Sequence, residues 1–273
     1  MIFSRHYICI GIAAWSLSFA AHAQDSFGDF FWSPRMSSGF DYSAGKFGET
    51  EITEVAFVPV TVQTARGPFT FKVSSGWLSV AGPALILDGA GSAAATAGIS
   101  RNVSGFADTS ISAAYSIEQL YDRGVYIDLT ARAKLPTASF KKGLGTGKLD
   151  GAAQADVAVA VGSFMPFATL GYKVNGVPAS LKLRNVVFGS VGLQYAWDDR
   201  VATGVVFDYR QSARRISVDP QEGTMYLSYR FTDAWSFNLY GLKGFSTNSP
   251  KAGGGITFTY RFSPSMMPFP ISK

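Results

Sequence analysis

The chain has 273 residues, 47% of them hydrophobic and only 16% charged, and its 24 Lys and Arg against 19 Asp and Glu give a formal net charge of +5. A balance this small and this scattered does not form the clustered basic face of a nucleic-acid binder. The single cysteine, Cys9, and both histidines, His6 and His22, lie within the first 23 residues.

That first segment has the parts of a secretory signal peptide. Arg5 supplies the positive end, Tyr7 to Ala20 an apolar run, and Ala21-His22-Ala23 a small-x-small cleavage site. The run is too short for a membrane-spanning helix. Cleavage after Ala23 leaves a mature chain without His or Cys. Ser-His and Cys-His nucleophilic pairs, His or thiolate zinc sites and disulfides then disappear together. The expectation is a non-enzyme with no catalytic residue, no metal site and no cofactor. Residues 24–35 read as a short periplasmic segment before the first strand.

From there the chain alternates with a period of two. Twelve strands are expected near 36–47, 52–64, 69–80, 107–118, 124–135, 151–162, 167–175, 185–197, 201–211, 223–231, 235–245 and 253–262. Each is close to the roughly ten residues of a tilted bilayer crossing. In 125–135, Val125, Ile127, Leu129, Ala131, Ala133 and Leu135 share one face, and Tyr126, Asp128, Thr130, Arg132 and Lys134 share the other. The same grammar returns at 201–210, 225–231 and 256–262. Pro59 breaks the pattern of the second strand.

The connections sort by parity. Short turns at 65–68, 121–124, 163–166, 198–200 and 232–234 alternate with longer segments at 81–106, 136–150, 176–184, 212–222 and 246–252. Short periplasmic turns and longer extracellular loops are the asymmetry of an outer-membrane barrel, which a soluble β-sandwich has no reason to show. Trp197, Trp235, Phe164, Phe167, Phe231 and Phe262 border the short turns and are expected to form an interfacial girdle. The fold class is therefore all-β, a transmembrane outer-membrane barrel of about 12 antiparallel strands spanning 36–262, with 263–273 as a tail. A lipocalin-type carrier is the competing barrel. It does not need a dozen strands with charges along one face.

Residues 143–148, "GLGTGK", look at first like a phosphate cradle. A P-loop needs Gly, four residues, then Gly-Lys-Ser/Thr. Here Lys142 stands five before Gly147, and Leu149 stands where the hydroxyl belongs. The segment reads instead as an extracellular turn with a solvated Lys.

Lys134-Leu135-Pro136-Thr137 followed by Gly143-Leu144-Gly145-Thr146-Gly147 and Asp150 resembles the outer-membrane family associated with the MetA pathway of phenol degradation. Support comes from Ser104-Gly105-Phe106-Ala107-Asp108, Gly171-Tyr172-Lys173, Val205 to Arg210, and Gly244 with Ser249-Pro250. The similarity covers about residues 55–262. It implies an outer-membrane barrel of a Gram-negative cell that admits small, hydrophobic or aromatic compounds. The tail after Phe262 departs from barrels that stop at a terminal aromatic.

The expected function is a passive channel; a non-conducting scaffold or surface barrel is the alternative. Expected partners are outer-membrane lipid, small-molecule solutes and the barrel-assembly machinery, with no nucleic acid. Twelve strands tilted by about 40° give a backbone diameter of roughly 24 Å. Candidate lumen residues are Asp108, Asp128, Arg132, Lys134, Asp156, Asp208, Arg210, Arg230 and Arg261; they could equally pair with one another. Cations outnumber carboxylates in this set, which favours anions mildly. The Ala/Gly/Ser-rich loop 88–105 is the expected obstruction or gate.

Overall fold

A computed structural model of the protein describes residues 34–83, 85–86, 93–94, 101–178, 183–214 and 217–262. The expected signal peptide, the rest of the N-terminal segment up to residue 33 and the tail lie outside these residues. The strands are β1 (Arg35–Gly45), β2 (Thr53–Arg66), β3 (Phe69–Gly82), β4 (Leu85–Ile86), β5 (Ala93–Ala94), β6 (Arg101–Phe106), β7 (Thr109–Ser116), β8 (Val125–Leu135) and β9 (Asp150–Val159). They continue as β10 (Phe164–Val174), β11 (Val186–Ala196), β12 (Val201–Arg210), β13 (Gln221–Arg230), β14 (Trp235–Gly244) and β15 (Ala252–Arg261). β4 and β5 form a small separate hairpin.

Every other strand pairs antiparallel with its neighbours, and β1 pairs with both β15 and β2, so the sheet closes. Closure leaves no backbone edge unpaired, which is what a sheet needs in lipid. β6 and β7 make one stave, giving a barrel of 12.

That stave begins earlier than the sequence pattern indicates. Residues 101–106 belong to it, although they were expected in a loop, because they pair with β3. Trp77 faces Phe106 while Ser74 faces Ser110, so the register slips by one residue at Ala107-Asp108. The extra residue is a β-bulge. It turns both Ala107 and Asp108 inward and interrupts the alternation a sequence reader follows. Pro59, by contrast, leaves β2 intact: pairing with β1 continues on both sides of it, and its carbonyl accepts a hydrogen bond from Ser38 Oγ.

The short connections lie at one end. Gly67 and Gly124 adopt left-handed φ of 53° and 70° at two of them. At the 197–200 turn, Asp198 Oδ1 accepts the N–H groups of Arg200 and Val201 at 2.6 and 2.7 Å, and these bonds hold its carboxyl below the usual aspartate range. The turn expected at 163–166 closes earlier, because Phe164 already pairs with Tyr195 in β10–β11.

Outward residues are apolar and exposed, among them Leu129, Leu170, Val191, Met225 and Leu239. A continuous belt of this kind requires hydrocarbon around it. At the short-turn end the belt is edged with rings. Phe164 meets Tyr195, which meets Trp197; Phe231 stacks with Trp235, which meets Tyr260 and then Phe262. Phe167 does not join this girdle. It lies three residues after Phe164, on the opposite face of the strand, and is buried inside the barrel. Among the described residues no helix is long and apolar enough to cross a membrane.

Candidate functional site: the barrel lumen

All nine sequence candidates, Asp108, Asp128, Arg132, Lys134, Asp156, Asp208, Arg210, Arg230 and Arg261, fall on the inward face. Their chemistry is set by register. In a barrel the strands tilt, so a row of directly opposed residues climbs from one rim to the other. One such row runs Arg261, Arg35, Gln63, Lys72, Ser112, Arg132, Ala152, Lys173 across eight staves. It starts at the short-turn rim, ends near the loop rim, and contains no carboxylate. A second row runs Ser116, Asp128, Asp156, Thr169, Ser190, Asp208, Glu222 and contains no cation. On β8 the two are four residues apart, at Arg132 and Asp128, or about 13 Å along the strand. The lumen therefore carries a basic and an acidic spiral side by side.

Within the acidic row, Asp156 accepts hydrogen bonds from Thr169 Oγ1 at 2.6 Å and from Gln154 Nε2 at 2.9 and 3.0 Å. Arg230, at the short-turn rim, donates to the carbonyl of Asp199. Sequence reasoning passed over Lys72, Lys173, Asp150 and Glu222. The first lies in the region where alternation looked poor, and Asp150 and Lys173 were read only as parts of motifs.

The wall from β10 to β14 is different. Met165, Phe167, Ala202, Val206, Tyr226 and Tyr240 form a buried cluster on its inner surface, with Ala158. Their rings are placed by glycines. Phe167 is directly opposite Gly192, Phe188 opposite Gly171, Tyr226 opposite Gly204 and Tyr240 opposite Gly255. At Gly192, Gly171 and Gly204 a methyl group would occupy the place of the neighbouring ring, and at Gly255 it would meet Asp41 Oδ1 before the Tyr240 ring. The rings thus lie along the wall instead of standing into the lumen. Tyr240 also donates to Asp41 Oδ1 at 2.6 Å. The interior is therefore amphipathic, not uniformly ionic as the alternation suggested.

The loop 136–149 enters the barrel from the far end. Thr137 Oγ1 donates to the carbonyl of Ala107, and the N–H of Thr109 donates to Thr137 Oγ1. The N–H of Ala138 donates to Asp108 Oδ1 at 2.9 Å. Gly143 and Gly147 make left-handed turns with φ of 70° and 65°. Between them Leu144, 1% exposed, packs with Val55, Leu78, Val80, Ala107 and Ala138 inside the barrel.

Gly145 sits so close to Asp108 that any side chain would strike its carboxylate. Lys134 ties these parts together. The side chain is 2% exposed, and its ammonium lies 3.1 Å from Asp108 Oδ2, 2.9 Å from Asp150 Oδ2 and 3.1 Å from Thr146 Oγ1. Lys173 reaches the same Asp150 oxygen at 3.0 Å.

The GLGTG segment is thus a plug, not only an exposed turn, although Lys148 beside it is exposed as expected. Most of the loop expected to obstruct the pore, 88–105, either lies outside the described residues or is strand β6. Among the described residues no group of acidic, His or Cys side chains could hold a metal ion.

Outside the barrel wall, two further loops are stapled together. Asp219 accepts from Ser212 N at 2.8 Å and Tyr209 Oη at 2.7 Å, and lies 3.5 Å from Arg184. Partial burial pushes its pKa up, but these three donors outweigh burial and hold it below the ordinary value.

The architecture is similar to that of solved outer-membrane proteins. With the COG4313 outer membrane channel from Pseudomonas putida F1 the TM-score is 0.63 at 13% identity, covering 86% of this chain and 98% of that one. The KdgM porin gives 0.54 at 9% identity, covering 84% and 99%. The NanC porin gives 0.52 at 9% identity with the same coverage. At these identities the likeness speaks for the fold. No curated protein matches the chain. A family model described as "Putative MetA-pathway of phenol degradation" matches residues 38–262. The chain belongs to that family, as an outer-membrane β-barrel.

Proposed function

We propose that the protein is a passive outer-membrane channel for small solutes, including hydrophobic or aromatic compounds, whose outer mouth is closed by the 136–149 loop in the state described here. The observation that carries this reading is the amphipathic lumen: a row of cations across β15 and β1 to β10, and a cluster of inward aromatic rings on β10 to β14. A barrel serving only as a scaffold has no need of either. Stacking and apolar contact on Phe167, Phe188, Tyr226 and Tyr240 suit a planar ring, and the row of cations suits a polar substituent. The description "outer membrane channel" of the structurally similar P. putida protein agrees with this role.

The buried Leu144 plug favours the second reading, a non-conducting barrel. The two differ in whether the loop leaves. It is held by the Leu144 packing, the bond from Lys134 to Thr146 and a few other hydrogen bonds, not by a continuous strand ladder. Delivery through the signal peptide and folding by the barrel-assembly machinery belong to the same proposal.

Liposome swelling tests it. Vesicles containing the purified protein should admit small sugars and small aromatic alcohols faster than empty vesicles, with rates falling as solute size rises. Rates equal to those of empty vesicles at every size would favour the non-conducting barrel.

A further inference from the structure

We infer that the lumen holds a binding position for small organic carboxylates, centred on Lys72. Lys72 is on the inward face of β3, in the middle of the basic register row. Its directly opposed neighbours are Gln63 on β2 and Ser112 on β7, both neutral and both able to donate. Arg132 follows Ser112 in the same row, so two cations flank a hydroxyl across three staves.

Among the described residues the Lys72 ammonium makes no hydrogen bond or ion pair, which sets it apart from Lys134 and Lys173. The charged groups that act on it are Arg132 and Asp156. Asp156 is not free to neutralise it fully, because Thr169 and Gln154 already donate to its oxygens.

A cation in this position, half-buried in the wall of a narrow lumen, is under-solvated without being partnered. Such a site attracts an anion of matching size and rewards directional donors. A carboxylate is planar and offers two oxygens, enough to reach the Lys72 ammonium with one and Ser112 or the Arg132 guanidinium with the other. A ring attached to it would extend toward the aromatic wall. Inorganic anions share the charge but not the ring, and that separates a specific position from general attraction.

The transport consequence rests on the channel reading; the binding itself does not. The experiment therefore has two arms. In the first, 19F NMR of 4-fluorobenzoate is recorded with detergent-solubilised protein. The wild type should broaden the line, and Lys72→Gln should weaken apparent binding about tenfold, as expected for one charge-assisted bond. Lys72→Arg should retain most of it, and Lys148→Gln, in the exposed loop, should change nothing. Phosphate at equal concentration should compete poorly.

In the second arm, bilayer reversal potentials should show anion preference that falls with Lys72→Gln. Equal binding by wild type and Lys72→Gln overturns the inference. Competition by phosphate as strong as that by unlabelled benzoate overturns the carboxylate assignment. Silent bilayers with intact NMR binding sink the channel reading and leave the binding position standing.

Discussion

Gly204 on β12 lies directly opposite Tyr226 on β13, and the phenol ring occupies the space that any side chain at position 204 would take. The same relationship joins Gly192 to Phe167. Gly204→Ala should push the ring off the wall and into the lumen. Overpacking of this kind costs about 1–3 kcal/mol. Denaturant unfolding in detergent should show that loss for Gly204→Ala, and Tyr226→Ser added to it should recover most of it. Additive losses in the double variant would show that ring and glycine are not coupled.

The ion-paired Lys134 should be the strongest single support of the inserted loop. Lys134→Met removes the cation between Asp108 and Asp150, and breaking one side of a buried pair costs about 3–5 kcal/mol. Limited proteolysis should then cut within Gly143–Thr146, a segment that is buried in the wild type. A cleavage pattern unchanged by the substitution would mean that Leu144 packing alone keeps the plug in place.

Leu129 and Thr130 are neighbours on β8 and face opposite media. Leu129→Arg places a charge in lipid, at a cost of about 2–4 kcal/mol near mid-membrane. Thr130→Asn keeps a polar group in the lumen. Heat-modifiable gel mobility should report failed assembly for the first and normal folding for the second; equal behaviour would contradict the assigned faces.

The Arg184–Asp219 staple carries a pH signature. The folded pKa of Asp219 lies below its ordinary value of 3.8, so its stabilising effect is present above that value and fades as pH falls through the folded pKa. Amide exchange at Ser212 should stay slow from neutral pH down to the ordinary aspartate range and lose its extra protection below it, after correction for intrinsic rates. Asp219→Asn should show weakened protection at all these pH values.

Most of the barrel was legible because a period of two, sustained for ten residues, has one physical meaning at a water–lipid boundary. The faces of Leu129 and Arg132 followed from it directly. What stayed hidden depends on register. Two residues distant in sequence, such as Lys72 and Arg132, join one row only after β3, β7 and β8 are aligned, and the bulge at Ala107-Asp108 shifts that alignment by one. Phe167 was misplaced because its distance from a turn, and not its parity, was used to assign it. The plug was hidden for another reason: Leu144 looks like any loop leucine until Gly105 is seen to leave room for it.

The central question is whether the loop is the door of a conducting pore. Single-channel recording in planar bilayers, comparing the wild type with a variant in which residues 139–147 are replaced by a short Gly-Ser link, addresses that directly. The wild type should show small, brief openings, and the loop-replaced barrel a larger and steadier conductance with the same fold by circular dichroism. A folded, loop-replaced barrel that passes no more current than a protein-free membrane would contradict the account.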